Sequence, residues 1–286
     1  MTKYSYNAAI EFFEIDPTVL SDGLAYAEMK GYTALRIRCL NQNDGQRYTL
    51  DFADFADREF IRKLIIGDSF LLEEILNVDA LYTLRNLEFL SIDQPVKLDL
   101  LQFRNLTTLC VTGDNKVENI GALTNLRNLL ITSTTYTDLT HLANLRNLET
   151  LRICGGRIKS LQGIEAFRHL ESLKILYCRK LTDMASLSGL PHIKMLHIEK
   201  CAQVTDLSFL QGNQTIRHLF VDKVSNLCFI SSMPNLEEIS FWNCIDGNLE
   251  PLIHTQSHIY FYPNKKHYSH TLEQINEMRI TNGLPS

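Results

Sequence analysis

Aliphatic residues along this chain follow a short frame, L-x-x-L-x-[IVLF], in which Ile sometimes replaces Leu. Its clear copies begin at Leu87, Leu106, Leu126, Leu148, Leu170, Ile193, Ile216 and Leu236. Successive copies are about 19 to 23 residues apart, which is the spacing of short structural repeats. A unit of this length cannot bury its own apolar face, so neighbouring units must stack on one another. The pattern therefore predicts one elongated array of strands with a shared core.

Polar and apolar positions also alternate within each copy. Because successive side chains of a strand point to opposite faces, the fourth and sixth positions enter the core. The third, fifth and seventh positions lie on the other face, which is predicted to be concave. Equivalent positions of adjacent copies form lateral rows with neighbours about 4.8 Å apart. Apolar residues three apart, such as Val117, Ile120 and Leu123, predict a short 3₁₀ or helical turn on the convex side.

The residues before the first copy predict a cap. Asp16 followed by Pro17 predicts the start of a helix, and Gly31 predicts its end. Alternating segments at 34–40 and 47–52, with turn-forming residues between them, predict a β-hairpin. Such a hairpin would shield the first edge of the sheet, because an exposed edge invites aggregation.

The residues after the last copy predict a second cap. A degenerate strand is expected at 258–262, followed by a helix. Thr271 and Gln274 match a capping box, and Gly283 predicts the end of that helix. The predicted organisation is an N-terminal helical and hairpin cap at 1–60, a repeat region at 61–262 and a C-terminal helical cap at 263–286.

The spacing of the copies resembles that of the leucine-rich-repeat superfamily over about residues 61–262. The T-D-L segments at 137–139 and 205–207 are most similar to the bacterial internalin-like class, whose units have roughly 22 residues. The resemblance implies an α/β fold, a leucine-rich-repeat solenoid with a concave parallel β-sheet. It also implies 3₁₀ or short helices on the convex side, caps at both ends, and protein binding as the commonest role.

Charge and motifs exclude several classes of function. A formal net charge of −5 provides no overall basic field for nucleic acid or an anionic membrane. The first residues lack the apolar core and cleavage site of a Sec signal, and no apolar run is long enough to span a bilayer. No Walker loop, G-x-G-x-x-G or zinc-binding spacing is present, so no cofactor or metal is predicted.

The seven cysteines indicate a structural rather than a catalytic use of sulfur. Cys178, Cys201 and Cys244 all fall at the ninth position of the repeat, where side chains turn inward. Buried cysteine behaves as a small hydrophobic residue. The odd number and these positions predict a reducing, cytoplasmic setting.

The predicted concave face changes in character along the chain. Its N-terminal half contains small and polar residues, whereas its C-terminal half contains aromatic residues that include the only tryptophan. Trp and Tyr are favoured anchors of protein interfaces. The predicted protein-contact residues are His197, Glu199, His218, Phe220, Asp222, Trp242, Tyr260 and Tyr262, with Arg152 and Lys174 at the edge. The alternative is that the aromatic residues pack against the C-terminal cap.

Charged residues on this face are predicted to be separated by sign. Glu199 and Asp222 should be lateral neighbours, and like charges side by side cost stability unless something neutralises them. Lys200 and Lys223, each one residue further on, are local candidates, and a bound basic group is another. The two basic edge residues form the opposite pair, so a bipolar face would set the register of a charged partner. The alternative is a solvated surface with mobile side chains.

His197, His218 and Glu199 are close enough on this map to suggest a metal site or an acid–base set. The open face and the lack of an evident nucleophile argue against both.

The sequence is therefore interpreted as that of a non-enzymatic, cytoplasmic protein that binds another protein by occlusion or scaffolding. Analogy favours an immunity- or antitoxin-type inhibitor of a toxin. An effector that binds a host protein, and an enzyme or regulatory subunit using the histidine–glutamate set, are the alternatives. Homo-oligomerisation is left open.

Overall fold

The computed structural model describes residues 3–40, 47–67, 71–94, 96–113, 116–261 and 264–284. The chain divides into two compact units, residues 1–131 and 132–286. In both units strands and 3₁₀ turns alternate along the chain. The predicted division into 1–60, 61–262 and 263–286 differs from these units and stays a prediction.

The first unit begins with an antiparallel strand pair and a helix. These elements are β1 (Tyr4–Asn7), β2 (Phe12–Ile15) and α1 (Leu20–Lys30). Asp16 accepts a hydrogen bond from the backbone N–H of Thr18 and so caps a 3₁₀ turn that leads into α1. Gly31 ends α1 in the left-handed region, with φ of 75°. The predicted start and end of this helix are confirmed.

Most of the first unit is a parallel sheet. Its further strands are β3 (Ala34–Ile37), β4 (Arg47–Asp51), β5 (Lys63–Ile66), β6 (Leu71–Leu76), β7 (Phe89–Ile92), β8 (Leu98–Asp99), β9 (Thr108–Thr112) and β10 (Val117–Glu118). The next strand, β11 (Asn128–Thr134), includes the last residues of the first unit and the first residues of the second. The strand order of the main sheet within this unit is β1-β2-β3-β5-β7-β9, and every pair after the first is parallel. Two small parallel pairs, β4 with β6 and β8 with β10, lie between successive strands of the main sheet along the chain.

The predicted hairpin of 34–40 with 47–52 is wrong. β3 pairs in parallel with β2 and β5, whereas β4 pairs with β6 in a separate sheet. The predicted turn, 41–46, lies outside the described residues. Alternation of apolar residues fits either pairing, but Leu35 in β3 aligns with the core residue Leu64 of β5 and is itself fully buried. The antiparallel β1–β2 pair occupies the first edge instead.

The second unit continues with parallel strands and ends in a helix. Its strands are β12 (Thr150–Gly156), β13 (Ser172–Leu176), β14 (Met195–Glu199), β15 (His218–Val224), β16 (Glu238–Cys244) and β17 (His258–Phe261), and its helix is α2 (Leu272–Thr281). Each strand pairs in parallel with the next. Thr271 and Gln274 form both bonds of the predicted capping box, and Gly283 follows the helix with φ of 73°. The predicted last strand and C-terminal helix are confirmed.

A 3₁₀ turn follows most of these strands and closes the core from behind. In the second unit these turns are Thr140–Leu142, Ile164–Ala166, Ala185–Gly189, Ser208–Leu210, Cys228–Ser232 and Glu250–His254. The fourth and sixth positions of the frame, such as Leu173 and Ile175, are fully buried between sheet and turns. Parallel strands backed by 3₁₀ turns at this period confirm the predicted leucine-rich-repeat fold. The other face of the sheet, predicted to be concave, is called the open sheet face below.

The helix α2 is attached to the last repeat through a buried guanidinium. Arg279, which is 1% exposed, donates hydrogen bonds to the carbonyl oxygens of Leu252 (3.1 Å) and Ser257 (2.8 Å). These bonds satisfy two backbone carbonyl groups beside β17 and attach α2 to the core. Among the described residues, none of the helices has the length and apolar content needed to cross a membrane.

Candidate functional site

The strand register of the second unit produces the predicted lateral rows. Row five, at the fifth position of the frame, consists of Arg152, Lys174, His197, Phe220, Ser240 and Tyr260, each paired with the next. Row three consists of Thr150, Ser172, Met195, His218, Glu238 and His258. Most of the predicted contact residues are therefore brought onto one face of β12–β17. Tyr262 lies outside the described residues.

Three aromatic side chains on this face contact one another. The rings of His197 and Phe220 are stacked, with centroids 4.2 Å apart and planes at 19°. Phe220 in turn meets Trp242 edge to face, at 5.4 Å and 85°. Such contacts stabilise aromatic pairs beyond the area they bury. We call His197, Phe220 and Trp242 the aromatic cluster.

The aromatic cluster leaves much of its apolar surface uncovered. Trp242 is 40% exposed, and Tyr260, in row five beyond Ser240, is 56% exposed. Lys200 follows the end of β14, and its ammonium Nζ lies 5.0 Å from the centroid of the Trp242 ring. An ammonium at this distance is attracted by the negative face of the indole. The open sheet face therefore displays rings that already contact one cation.

The C-terminal segment holds the main chain of β16 and leaves the indole exposed. The Tyr268 hydroxyl accepts a hydrogen bond from the backbone N–H of Cys244 (3.1 Å) and donates to the Trp242 carbonyl oxygen (3.5 Å). Its ring packs edge to face against Phe261, 5.8 Å away. Among the described residues, the C-terminal segment therefore contacts the backbone of β16 and the ring of Phe261. This arrangement does not favour the alternative in which the aromatic residues of the open sheet face pack against the C-terminal cap.

The two acidic residues predicted to be neighbours are each bonded to a local donor. Glu199 Oε2 lies 3.1 Å from Nε2 of His197. Asp222 Oδ2 accepts a hydrogen bond of 3.0 Å from the backbone N–H of Lys200. Lys200 adopts a left-handed conformation, with φ of 55°, where the chain leaves β14. Lys200 is a predicted neutralising residue, but its amide rather than its ammonium bonds the carboxylate.

The histidine–glutamate set proposed as a metal or acid–base site does not converge. His218 lies near other carboxylates, 3.7 Å from Glu237 and 3.9 Å from Glu238, whereas His197 is bonded to Glu199. Within the described part of the chain, no group of three or more His, Cys, Asp or Glu residues could hold a metal ion. The imidazole rings of His197 and His218 therefore contact different carboxylates on the same face.

A shallow depression lies beside the aromatic cluster, between row three and row five. Its volume is about 240 Å³. The lining side chains come from β13 to β16 and are Lys174, Met195, His197, His218, Phe220, Glu238 and Ser240. Both aromatic and polar side chains therefore line it. Small-molecule sites usually enclose roughly 300–1,000 Å³ and bury most of the ligand, so this depression is better suited to a side chain of a larger partner.

The two basic residues and the acidic residues predicted on the open sheet face lie on different strands of the second unit. Arg152 and Lys174 are direct register partners on β12 and β13. Glu199, Asp222 and Glu238 lie further along, on β14, β15 and β16. None of these five side chains is fully buried. A charged partner would therefore meet a basic region and an acidic, aromatic region in a fixed order.

The cysteines at the ninth position are structural, as predicted. Cys178, Cys201 and Cys244 are buried, and the thiols of Cys178 and Cys201 donate to backbone carbonyl oxygens at 3.4–3.6 Å. Burial raises the pKa of the Cys244 thiol to about 12, assisted by its bond to Asp246. A protonated, enclosed thiol is a poor nucleophile, so Cys244 fills space and bonds locally at the bend after β16.

Some residues of this surface were missed at the level of sequence. The contact of Lys200 with Trp242 depends on the left-handed turn after β14, which no local motif announces. Glu238 and Ser240 were not among the predicted contact residues, although both line the depression. Lys200 itself was predicted as a neighbour of the carboxylate pair, but its contact with the indole was not.

Comparisons with known proteins concern architecture. No protein-family model matches the sequence, and neither does any curated protein. Among solved structures the chain is similar to an internalin (inlF) of Listeria monocytogenes, with 15% identity and a TM-score of 0.49 over 82% of this chain and 76% of that chain. It is also similar to an internalin C2 of Listeria monocytogenes, with 18% identity and a TM-score of 0.45 over 63% of this chain and 83% of that chain. A third similar structure is a leucine-rich-repeat protein of Leptospira interrogans, with 13% identity and a TM-score of 0.38 over 85% of this chain and 81% of that chain. The fold assignment rests on this chain's own strands and turns.

Proposed function

We propose that this leucine-rich-repeat chain binds another protein on the open sheet face of its second unit and acts by occlusion or scaffolding, without catalysis. The observation that supports this most is the aromatic cluster, in which Trp242 stays 40% exposed while it contacts Phe220 and Lys200. A single exposed apolar residue needs no explanation, but contiguous exposed aromatics often form the centre of an interface.

The shape of the surface favours a macromolecular partner over a small substrate. The depression lined by His197 and Phe220 is shallow and open to solvent. Nothing in it encloses a reacting group, and the two nearby histidines contact separate carboxylates. A protein partner can insert one side chain there while it covers the flanking residues.

Within this class we favour a cytoplasmic immunity- or antitoxin-type inhibitor that covers the working surface of a toxin. The bipolar order of charge supports it, because opposite charges that meet in a fixed register speed encounter and reject wrong partners. An effector binding a host protein would use the same surface. The source of the partner distinguishes the two hypotheses. A toxin would come from the producing cell or a neighbouring cell, whereas the target of an effector would come from the host.

The experiment is an affinity capture followed by binding of the purified partner. The wild-type chain is compared with Phe220→Ala/Trp242→Ala/Tyr260→Ala. The matched control is Ile245→Ala/Met278→Ala/Ile280→Ala, which truncates apolar residues of similar exposure (45%, 41% and 63%) away from rows three, five and seven. Captures from the producing cell and from candidate host cells are run side by side.

We expect the wild type and the control to retain the same protein and the cluster variant to lose it. The purified partner should then bind the wild type at least 30-fold more tightly than the cluster variant. Equal capture by all three chains would overturn the proposal and move the interface to another surface. Turnover of a substrate by the wild type that the His197→Ala variant abolishes would favour the enzymatic alternative.

A further inference from the structure

We infer that the partner inserts an arginine side chain against Phe220 and Trp242, between the carboxylates of Glu199 and Asp222. This inference rests on the proposed function and specifies the chemistry of its central contact. It also predicts that an acidic residue of the partner faces Arg152. Aromatic surface, acceptor oxygens and the order of charge along the strands each support part of it.

The Trp242 ring already attracts a cation within its own chain. Lys200 Nζ lies 5.0 Å from its centroid, although the Lys200 side chain is exposed and could extend into solvent. Ring faces carry negative partial charge and bind ammonium and guanidinium groups. The indole keeps 40% of its surface exposed while it contacts both Phe220 and Lys200. A second, planar cation therefore has accessible ring surface next to the first.

Two carboxylates are bonded to residues of this surface, one to His197 of the aromatic cluster and one to Lys200. Glu199 uses Oε2 to contact His197, and Asp222 uses Oδ2 to accept from the Lys200 amide. Within the described residues, the second oxygen of each carboxylate has no such bond. The carboxylates of Glu199, Asp222 and Glu238 together with the ammonium groups of Lys200 and Lys223 give a formal charge of −1. This part of the face is therefore complementary to one further positive group.

A guanidinium fits these features better than an ammonium. Its planar fork of donors can reach two carboxylate oxygens while its flat face stacks on a ring. Lysine would bring a second strongly hydrated point charge close to Lys200 and would not stack. The combination of an exposed ring and two carboxylate acceptors therefore favours arginine over lysine.

The basic residues of the same face set the direction of the partner. Arg152 on β12 and Lys174 on β13 repel a cation and attract a carboxylate. Asp222, on β15, is two strands beyond Lys174 and three beyond Arg152, a separation of about 10 to 14 Å at 4.8 Å per strand. An extended segment spans that distance in about three to four residues. The partner segment should therefore have an acidic residue and an arginine about four positions apart.

The test uses the only tryptophan as its reporter, since Trp242 lies at the proposed contact. The probe is the peptide acetyl-Gly-Glu-Gly-Gly-Gly-Arg-Gly-amide, titrated while Trp242 fluorescence is followed. Matched peptides replace Arg by Lys or by Gln. The chain variants are Glu199→Gln/Asp222→Asn and, as a control with the same change in net charge, Glu250→Gln/Glu277→Gln, whose carboxylates are exposed on other surfaces.

We expect saturable binding of the arginine peptide, at least tenfold tighter than that of the lysine and glutamine peptides. Glu199→Gln/Asp222→Asn should lower this affinity at least tenfold, and the control variant should leave it within twofold. Equal affinities for the three peptides, no saturable binding, or an equal loss in both variants would overturn the inference.

The captured partner separates this inference from the proposed function. If the Glu199→Gln/Asp222→Asn variant retains the partner at wild-type affinity while Phe220→Ala/Trp242→Ala/Tyr260→Ala loses it, the arginine contact is wrong and the proposed surface stands. If the latter variant also retains the partner, the proposed surface itself is wrong.

Discussion

The open sheet faces of the two units differ, although one frame builds both. In the first unit, row five includes the paired residues Ser91 and Cys110. In the second unit, the paired residues His197 and Phe220 occupy that row and stack. The frame constrains the apolar positions that enter the core and leaves the alternating positions free. One repeat can therefore place small residues at this part of row five in one unit and stacked aromatic rings in the other.

Charged groups of the two faces also differ in how they are satisfied. Glu14 in the first unit has a side chain only 6% exposed, and its Oε1 accepts from Arg36 and Arg38, both at 3.3 Å. This carboxylate is held within its own unit, as a buried charge requires. Glu199 and Asp222 each use one oxygen locally. Each of the three carboxylates thus uses a single oxygen in these bonds, but the Glu14 side chain is enclosed, whereas the Glu199 side chain is 19% exposed.

The largest expected effect tests whether the two cores are equivalent. Leu173→Ala in the second unit and Leu109→Ala in the first should each lower the free energy of unfolding by about 2–5 kcal/mol, because both side chains are fully buried and truncation leaves a cavity. Urea denaturation measures the loss, with Ser172→Ala as the neighbouring control. A loss below about 1 kcal/mol at either site would mean that the repeat register there is wrong.

The next effect tests the contrast between the two faces. Trp242→Ala should weaken binding of the captured partner by about 2 kcal/mol or more, which is a rise in Kd of roughly 30-fold. Titration calorimetry measures the affinity, and thermal unfolding monitors stability. Unchanged affinity with a lowered Tm would instead assign Trp242 to the packing of β16 against the C-terminal segment.

A smaller effect tests a feature that both units share. Asp138 accepts bonds from the backbone N–H (3.0 Å) and hydroxyl (2.6 Å) of Thr140, and Asp99 accepts from the N–H of Leu101 (3.1 Å) in the same way. The Thr140 hydroxyl and amide bonds hold the pKa of Asp138 below its usual range. Asp138→Ala should lower the free energy of unfolding by about 1 kcal/mol at neutral pH, as loss of a cap does.

The pH dependence of this effect has a definite sign. Because the folded-state pKa of Asp138 is lowered, its contribution is present above the ordinary aspartate pKa of about 3.9. It is lost as pH falls through the lower folded-state value. Urea denaturation from pH 7 down to pH 3 should therefore show the wild type and Asp138→Ala converging in acid, while Asp138→Asn, which keeps an acceptor oxygen, stays nearer the wild type at pH 7. A constant difference across this range would contradict the hydrogen-bond explanation.

The smallest expected effect lies on the first unit. Ser91→Ala changes an intermediate, polar position of row five and should alter both partner affinity and stability by less than about 0.5 kcal/mol. The same calorimetry and denaturation measure both. A loss in affinity comparable to that of Trp242→Ala would extend the interface onto the first unit and remove the contrast between the faces.

Local patterns predicted much of this structure. The caps of α1 and α2 were correct because their signals, Asp16 with Pro17 and Thr271 with Gln274, act within a few residues. The β3–β4 hairpin was wrong because alternation shows which face a residue occupies but not which strand lies beside it. Leu35 in β3 could complete the core only by pairing with the strands on either side of it in the sheet.

The candidate site shows the same division between local and long-range information. The sequence alone determined the core, the rows and the order of charge, since a fixed period and strict alternation assign every position to a face. Only the tertiary structure decided that Lys200 lies over Trp242, that its amide bonds Asp222, and that His218 contacts Glu237 and Glu238 rather than Glu199. These contacts depend on side-chain rotamers and on a left-handed turn after a strand. Both are fixed only when residues about twenty positions apart in sequence pack together, so a local pattern does not predict them.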